Sequence, residues 1–394
     1  MDKKILSTIK DIAARSIEEQ NIAGINMLVF RHGKEQYYFE DGYADIESQK
    51  PISRDTIFRL YSMTKPVTGA AAMILMQRGE IDLLHPVAKY LPGFKNQMVV
   101  SEGGTVPANR EVTLFDLLSM TSGLSYGDGE TAHGRSIQQF FAELTARMDS
   151  DKPMTTVEAA NKFGQCGLAF QPGEHWQYGT SADVMGAVIE VVSGKSFGQF
   201  LQDEIFAPLG MKDTGFFVPA EKQHRLATTY RCTDDGIKKF SNSTLGISVR
   251  MEKSPALESG GAGLVSTVDD YMRFTQMLMN KGMLDGVRIL SPKTVEYFTS
   301  PQILPHHITE MESRWPGILN GFSYGNFMRI RNCGERGVVI GSKGEYGWDG
   351  ALGVYCLNSP KDDLSIVYMI QRAGSGTIEL TRRVRNIVYS AILD

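Results

Sequence analysis

Apolar residues recur at helical spacing from the start of the chain. Ile5, Ile9, Ile12, Ala13 and Ile17 share one face, which predicts an amphipathic helix over residues 3–19. The period then changes to that of extended chain. Ile25 to Arg31 and Gln36 to Asp41 flank His32-Gly33-Lys34, a hairpin signal. After a short extended run, Ile57 to Leu60, the stretch Lys65 to Arg78 is continuously apolar, rich in Ala and Met, and stops at Gly79. Pro66 fits only the first turn of that helix, so the helix is expected to begin at Ser62 or Met63.

From Asp82 to about Thr229 the pattern is mainly helical with long loops. Helices are expected at Thr113–Ser119, Ser136–Met148, Ser181–Ser193 and Ser196–Phe206, separated by Pro92-Gly93, Pro172-Gly173 and Pro208-Leu209-Gly210. A further helix follows over Thr267–Asn280. Strand signals return near Gly321–Arg331, Gly337–Ser342, Ala351–Leu357 and Leu364–Ile370, and a helix over Gly376–Ile392 closes the chain. Strands at both ends with helices between them predict an α+β fold. One antiparallel sheet is built from both chain ends, 1–80 and 230–394, and flanked by helices, with a mainly helical region, 81–229, inserted.

The chain has 394 residues, enough for a large core and a rigid pocket. Lys and Arg number 41 against 45 Asp and Glu, a net charge of −4 that offers no basic surface for nucleic acid. No apolar run approaches the length of a membrane span, and Ala70–Met76 belongs to the helix above. Met1-Asp2-Lys3-Lys4-Ile5-Leu6 turns polar too early for a secretory leader. Cys166, Cys232, Cys333 and Cys356 lack metal-ligand spacing, and a chain of this size needs no staples. The expectation is a cytoplasmic protein with no metal or organic cofactor, whose partner is a small molecule.

Ser62-Met63-Thr64-Lys65 is a Ser-x-x-Lys. Residues three apart share a helix face, so the amine can reach the hydroxyl and take its proton. A serine at a helix start also has unpaired N–H groups beside it. The motif alone is weak. Ser62 could equally be an N-cap, and Ser7-Thr8-Ile9-Lys10 matches as well, but only Ser62 lies between an extended run and an apolar helix. Two stretches fit Gly-x-Ser-x-Gly, around Ser125 and Ser196. Neither has the strand before and helix after that a nucleophile elbow needs, and His306-His307 has no obvious acid support. Tyr178, in Gln171-Pro172-Gly173-Glu174-His175-Trp176-Gln177-Tyr178-Gly179-Thr180, is presented at a helix start. Gly347-Trp348-Asp349-Gly350 carries glycines that allow a strand to approach a ligand.

Ser62-x-x-Lys65, Tyr178-Gly179-Thr180 and Trp348-Asp349-Gly350, in that order, resemble the class C β-lactamase and family VIII carboxylesterase superfamily. Gly79-Glu80-Ile81-Asp82-Leu83, Met120-Thr121-Ser122-Gly123-Leu124, Gln171-Pro172-Gly173 and Gly261-Ala262-Gly263-Leu264-Val265-Ser266-Thr267 resemble it too. The resemblance spans residues 20–390. It implies Ser62 as nucleophile, Lys65 and Tyr178 as base and acid in either assignment, and an oxyanion hole from the N–H groups of Ser62 and Ala351. It also implies a site in the cleft between sheet and helical region, with Thr180, Trp348 and Gly350 against substrate. Two positions depart from the β-lactamase pattern: Thr180 replaces an Asn, and Trp348-Asp349-Gly350 replaces Lys-Thr-Gly. Trp348 supplies no cation for an anionic β-lactam and favours the esterase branch. The expected function is hydrolysis of carboxylic esters with short or apolar acyl groups. The rivals are a β-lactamase or D-amino-acid peptidase, an acyltransferase, and a catalytically silent binding protein.

Overall fold

The computed structural model describes residues 1–332 and 336–394; Cys333 lies outside them. The main sheet strands are β1 (Gly24–Arg31), β2 (Lys34–Asp45), β3 (Lys50–Pro51), β4 (Phe322–Gly325), β5 (Met328–Arg331), β6 (Tyr346–Asp349), β7 (Tyr355–Ser359) and β8 (Leu364–Met369). They lie in the order β4-β5-β6-β7-β8-β1-β2-β3, all pairs antiparallel. The β1–β8 pairing, with Asn26 opposite Met369 and Arg31 opposite Leu364, joins the two chain ends.

Alternation along these strands separates two cores. Met27, Val29, Leu357 and Ile366 face the terminal helices α1 (Lys3–Glu18) and, last in the chain, α12 (Glu379–Ser390), meeting Leu6, Ile9, Val384 and Val388. Leu28, Cys356, Val367, Met369 and Trp348 point to the opposite face and join the large central core. That core contains α2 (Lys65–Gln77), whose residues from Lys65 to Leu75 are all buried. Such a helix is apolar all round because it is enclosed all round.

The remaining helices are α3 (Leu114–Ser119), α4 (Ala132–Arg147), α5 (Thr156–Gln165), α6 (Ser181–Ser193), α7 (Phe197–Leu201), α8 (Ala207–Leu209), α9 (Val268–Met279), α10 (Pro292–Phe298) and α11 (Pro305–Arg314). Several differ from expectation. The helix expected from Ser62 or Met63 starts later: Tyr61–Thr64 form a tight 3₁₀ turn and α2 begins at Lys65, with Pro66 in its first turn as required. The helix expected over Ser196–Phe206 relaxes into a wide π turn at Gln202–Phe206. Helices α5, α10 and α11 and a small hairpin, Met98–Ser101 with Gly104–Pro107, were not expected.

No strand forms over 337–342. Val338 and Ile340 are exposed, and the Val339 and Ile340 carbonyls accept from Arg331 and Arg385 side chains instead of a strand ladder. The strand expected over Ala351–Leu357 runs from Tyr355 to Ser359, because Gly350–Gly353 close a turn first. No helix among the described residues is long and apolar enough to cross a membrane.

Candidate active site

The short strand Phe58–Arg59 pairs with Val265–Ser266, and the chain then turns sharply into Tyr61–Thr64 and α2. Tyr61 takes a φ of 45°, a left-handed conformation costly for an aromatic residue. Its ring is buried, and its hydroxyl lies 3.1 Å from that of Thr244. This bend sets Ser62 at the head of the turn and Lys65 directly below it.

Lys65 is fully buried. Its Nζ is 3.2 Å from Ser62 Oγ, 3.0 Å from the Tyr126 hydroxyl and 2.8 Å from the Gly261 carbonyl. Three partners suit either protonation state. The ammonium donates to all three; the neutral amine donates to two and accepts from Ser62. Burial pushes Lys65 down to about 7, against the carboxylates of Asp183 and Asp349, which favour the charged form. Asp183 is itself buried. It accepts from Ser259 Oγ and from the Gly261 N–H, so the carbonyl that holds Lys65 is braced in turn.

Tyr178 arrives from the other side. Its hydroxyl accepts from Trp348 Nε1 at 2.9 Å, it lines the same cavity as Ser62, and its ring centroid is 4.7 Å from Lys65 Nζ. Burial raises its pKa, outweighing the lowering influence of Ser62 and Trp348, so it stays a neutral phenol. The next residue is Gly179 because a Cβ there would sit 2.2 Å from the Leu124 carbonyl, where the Tyr178 loop crosses the loop carrying Tyr126.

Ser62, Tyr178, Trp348 and Ala351 line one cavity of about 210 Å³, together with Trp315, Ile318, Leu319, Asp349 and the Gly374–Thr377 loop. Asp349 is paired with the buried Arg329 at 2.7 Å. A larger cavity of about 380 Å³, near Phe217, Lys212 and Glu258, contains none of these groups, so size alone does not select the site.

Of the residues expected at the site, Ser62, Lys65, Tyr178, Trp348 and Ala351 come together. Thr180 and Gly350 do not line the cavity. Thr180 is fully buried at the start of α6, and its hydroxyl finds no protein partner among the described residues. Gly350 provides clearance: a Cβ there would lie 2.1 Å from the Leu60 carbonyl, beside the Ser62 turn. Ser125 is buried 2.8 Å from His133 Nε2, Ser196 caps α7, and Ser7 bonds its own helix. His306 and His307 lie against the Glu174 and Gly173 carbonyls. Sequence reasoning missed Tyr126, Asp183, Asp349 and the wall formed by Trp315, Ile318 and Leu319. Tyr126 sits inside the Gly123–Gly127 motif, where Ser125 drew attention instead.

The Beta-lactamase family model matches residues 9–389. An uncharacterized protein of Mycobacterium tuberculosis is 30% identical over 378 residues, covering 92% of this chain and 89% of that one. Esterase EstB of Burkholderia gladioli is 33% identical over 283 residues, 68% of this chain and 69% of that one. Among solved structures, EstCE1, a hydrolase with promiscuous acyltransferase activity, superposes with a TM-score of 0.83 at 26% identity. That alignment covers 98% of this chain and 99% of that one.

Proposed function

The chain belongs to the beta-lactamase family, a serine hydrolase family with esterase and acyltransferase relatives, and from that premise we propose that it hydrolyses carboxylic esters through an acyl-enzyme on Ser62. The observation that carries this reading is the buried Lys65 amine, 3.2 Å from Ser62 Oγ with its pKa brought down to about 7. A base poised near neutrality is what a serine hydroxyl needs to become a nucleophile.

Lys65, as the free amine, takes the Ser62 proton while Oγ bonds to the ester carbonyl carbon. The oxyanion is held by the Ser62 and Ala351 N–H groups; both residues face the cavity. As the carbonyl reforms and the C–O bond breaks, Tyr178 gives its proton to the departing alcohol oxygen, and the proton on Lys65 replaces it. Water then attacks the acyl group, its proton returns through the same groups, and Ser62 is restored. The division of labour assigns base to Lys65 and acid to Tyr178, since burial favours the neutral form of both. The helical region 81–229 supplies Tyr126, Tyr178 and Asp183, the remainder supplies Ser62, Lys65 and Trp348, and the cleft between these two parts is the substrate site.

The cavity favours a neutral ester. Among the described residues that line it there is no Lys, Arg or His, and its charged member, Asp349, is acidic. An anionic β-lactam entering there would lose hydration without gaining a cation. Kinship with EstCE1 supports a second reading, in which an alcohol replaces water as acyl acceptor.

The test is to incubate the protein with a fluorophosphonate and locate the adduct by mass spectrometry. The adduct is expected on Ser62, and one on Ser125 or Ser196 would refute the assignment. On the same preparation, kcat/KM for 4-nitrophenyl acetate should exceed that for nitrocefin; the reverse order would restore the β-lactamase reading.

A further inference from the structure

The Trp348 indole was expected against substrate, and its one polar atom is committed to Tyr178. Strand β6 pairs with β7 with Trp348 opposite Cys356, which turns the side chain into the central core at 4% exposure. Tyr324 packs against the indole edge-on at 5.2 Å between ring centroids, and the Arg329 guanidinium lies 5.7 Å from it. Held in this way, Nε1 points at the Tyr178 oxygen, 2.9 Å away.

We propose that Trp348 is a positioning residue for acyl transfer: its N–H fixes the Tyr178 hydroxyl and stabilises the phenolate that forms as Tyr178 protonates the leaving alcohol. An indole N–H can only donate, so the Tyr178 oxygen must accept from it. The phenol proton is then directed away from Trp348, which leaves it free to turn into the cavity that Tyr178 and Ser62 both line, where the leaving oxygen departs. The bond also strengthens when it matters. A donor aimed at a neutral phenol contributes modestly, but the same donor aimed at a developing phenolate is charge-assisted and sits where water is excluded. No bond is made or broken at Trp348; the O–H bond that breaks is that of Tyr178, and the alcohol oxygen takes the proton. Trp348 thus serves as part of the acid machinery as well as part of the wall.

The inference rests on the ester-hydrolase reading, and leaving-group dependence tests the two separately. A 4-nitrophenolate departs without help, whereas an alkoxide needs a proton. In Trp348→Phe, which keeps an aromatic wall and removes the donor, kcat/KM for ethyl acetate, which reports acylation, should fall about tenfold more than kcat/KM for 4-nitrophenyl acetate. Tyr178→Phe should show the same selective loss. The double variant should lose little beyond Tyr178→Phe alone, because Trp348 acts through that hydroxyl. Should Trp348→Phe misfold, 3-benzothienylalanine at position 348 removes the N–H from a ring of nearly the same shape, and the same selective loss is expected. Equal falls for the two esters, or additive losses in the double variant, would overturn the positioning role and leave the hydrolase reading intact. Failure of the unsubstituted protein to turn over either ester while Ser62 still reacts with fluorophosphonate would overturn the hydrolase reading, and the inference with it.

Discussion

A lysine sealed from water gives up its proton far more easily than one in solvent, even with a carbonyl and two hydroxyls beside it. At Lys65 this brings the free amine into use near neutral pH. The expected consequence is a kcat/KM for neutral esters that rises with pH through about 7, as Lys65 loses its proton. Lys65→Arg preserves charge but offers no lone pair, so its rate should fall by about 10²–10⁴-fold, close to the loss in Lys65→Ala. If Arg retains most of the rate, Lys65 is an electrostatic anchor and the base lies elsewhere. Ser62 and Lys65 were legible because a three-residue spacing on a helix is a local fact. Tyr126 and Asp183 were not, since each matters only through an atom brought from far along the chain: Tyr126 through Lys65, Asp183 through the Gly261 amide. Thr180 shows the opposite failure, in that its place in a motif suggested contact with substrate while the helix start buries it.

Helices were readable where a stripe or a cap dominates and obscure where the stripe is short. The capping box of α5, Thr155 with Glu158, was present in the sequence but is not a signal the expected helices used, and α10 is capped by Ser291 and starts on Pro292. Helix α11 has a further function for its length: it leads into Trp315, Ile318 and Leu319, which wall the cavity. It is clasped to the segment before Tyr178 by Glu310, which accepts from the Trp176 N–H at 2.7 Å and lies 2.7 Å from His175 Nδ1. Burial alone would raise the Glu310 pKa, but these two contacts outweigh it and hold the carboxyl below its usual value. The clasp therefore contributes stability at neutral pH that fades as the pH falls through that lowered value. Glu310→Ala leaves the Trp176 N–H unpaired and should lower stability by about 1–2 kcal/mol. Because the wall loosens while Ser62 and Lys65 stay in place, KM should rise several-fold more than kcat falls. Steady-state kinetics beside a melting curve check this; an unchanged KM would detach α11 from substrate binding.

The whole molecule brings its chemistry together by closing the sheet across the chain ends. The β1–β8 pairing carries Trp348 and Asp349 to the turn that holds Ser62, 286 positions before Trp348, and no local pattern announces that pairing. Strands at both chain ends made one antiparallel sheet predictable, though not its order, and the near-continuous apolar runs of β1 and β8 fit their burial on both faces. Enclosing the site also sets a cost. The folded chain holds Lys65 near 7, whereas the unfolded chain keeps it at the ordinary 10.5, so between these values the unfolded state binds more protons. Stability from this residue therefore rises as pH increases from 7 to 10.5, and below 7 the penalty is constant and greatest. Lys65→Met removes the titration while retaining the length of the side chain, although it leaves the Gly261 carbonyl and the Tyr126 hydroxyl without their amine partner. That loss hardly depends on pH, so it shifts the comparison without changing its slope. The stability of Lys65→Met relative to the natural protein should be greatest at and below pH 7 and should decline steadily toward pH 10.5, by a few kcal/mol in all, on the order of 1.4 kcal/mol for each unit of pKa difference. Denaturant melts of both proteins across that range measure the slope directly. A difference that stays flat from pH 7 to 10.5 would mean that Lys65 keeps an ordinary pKa in the folded protein, and the free-amine base would then be lost from the mechanism.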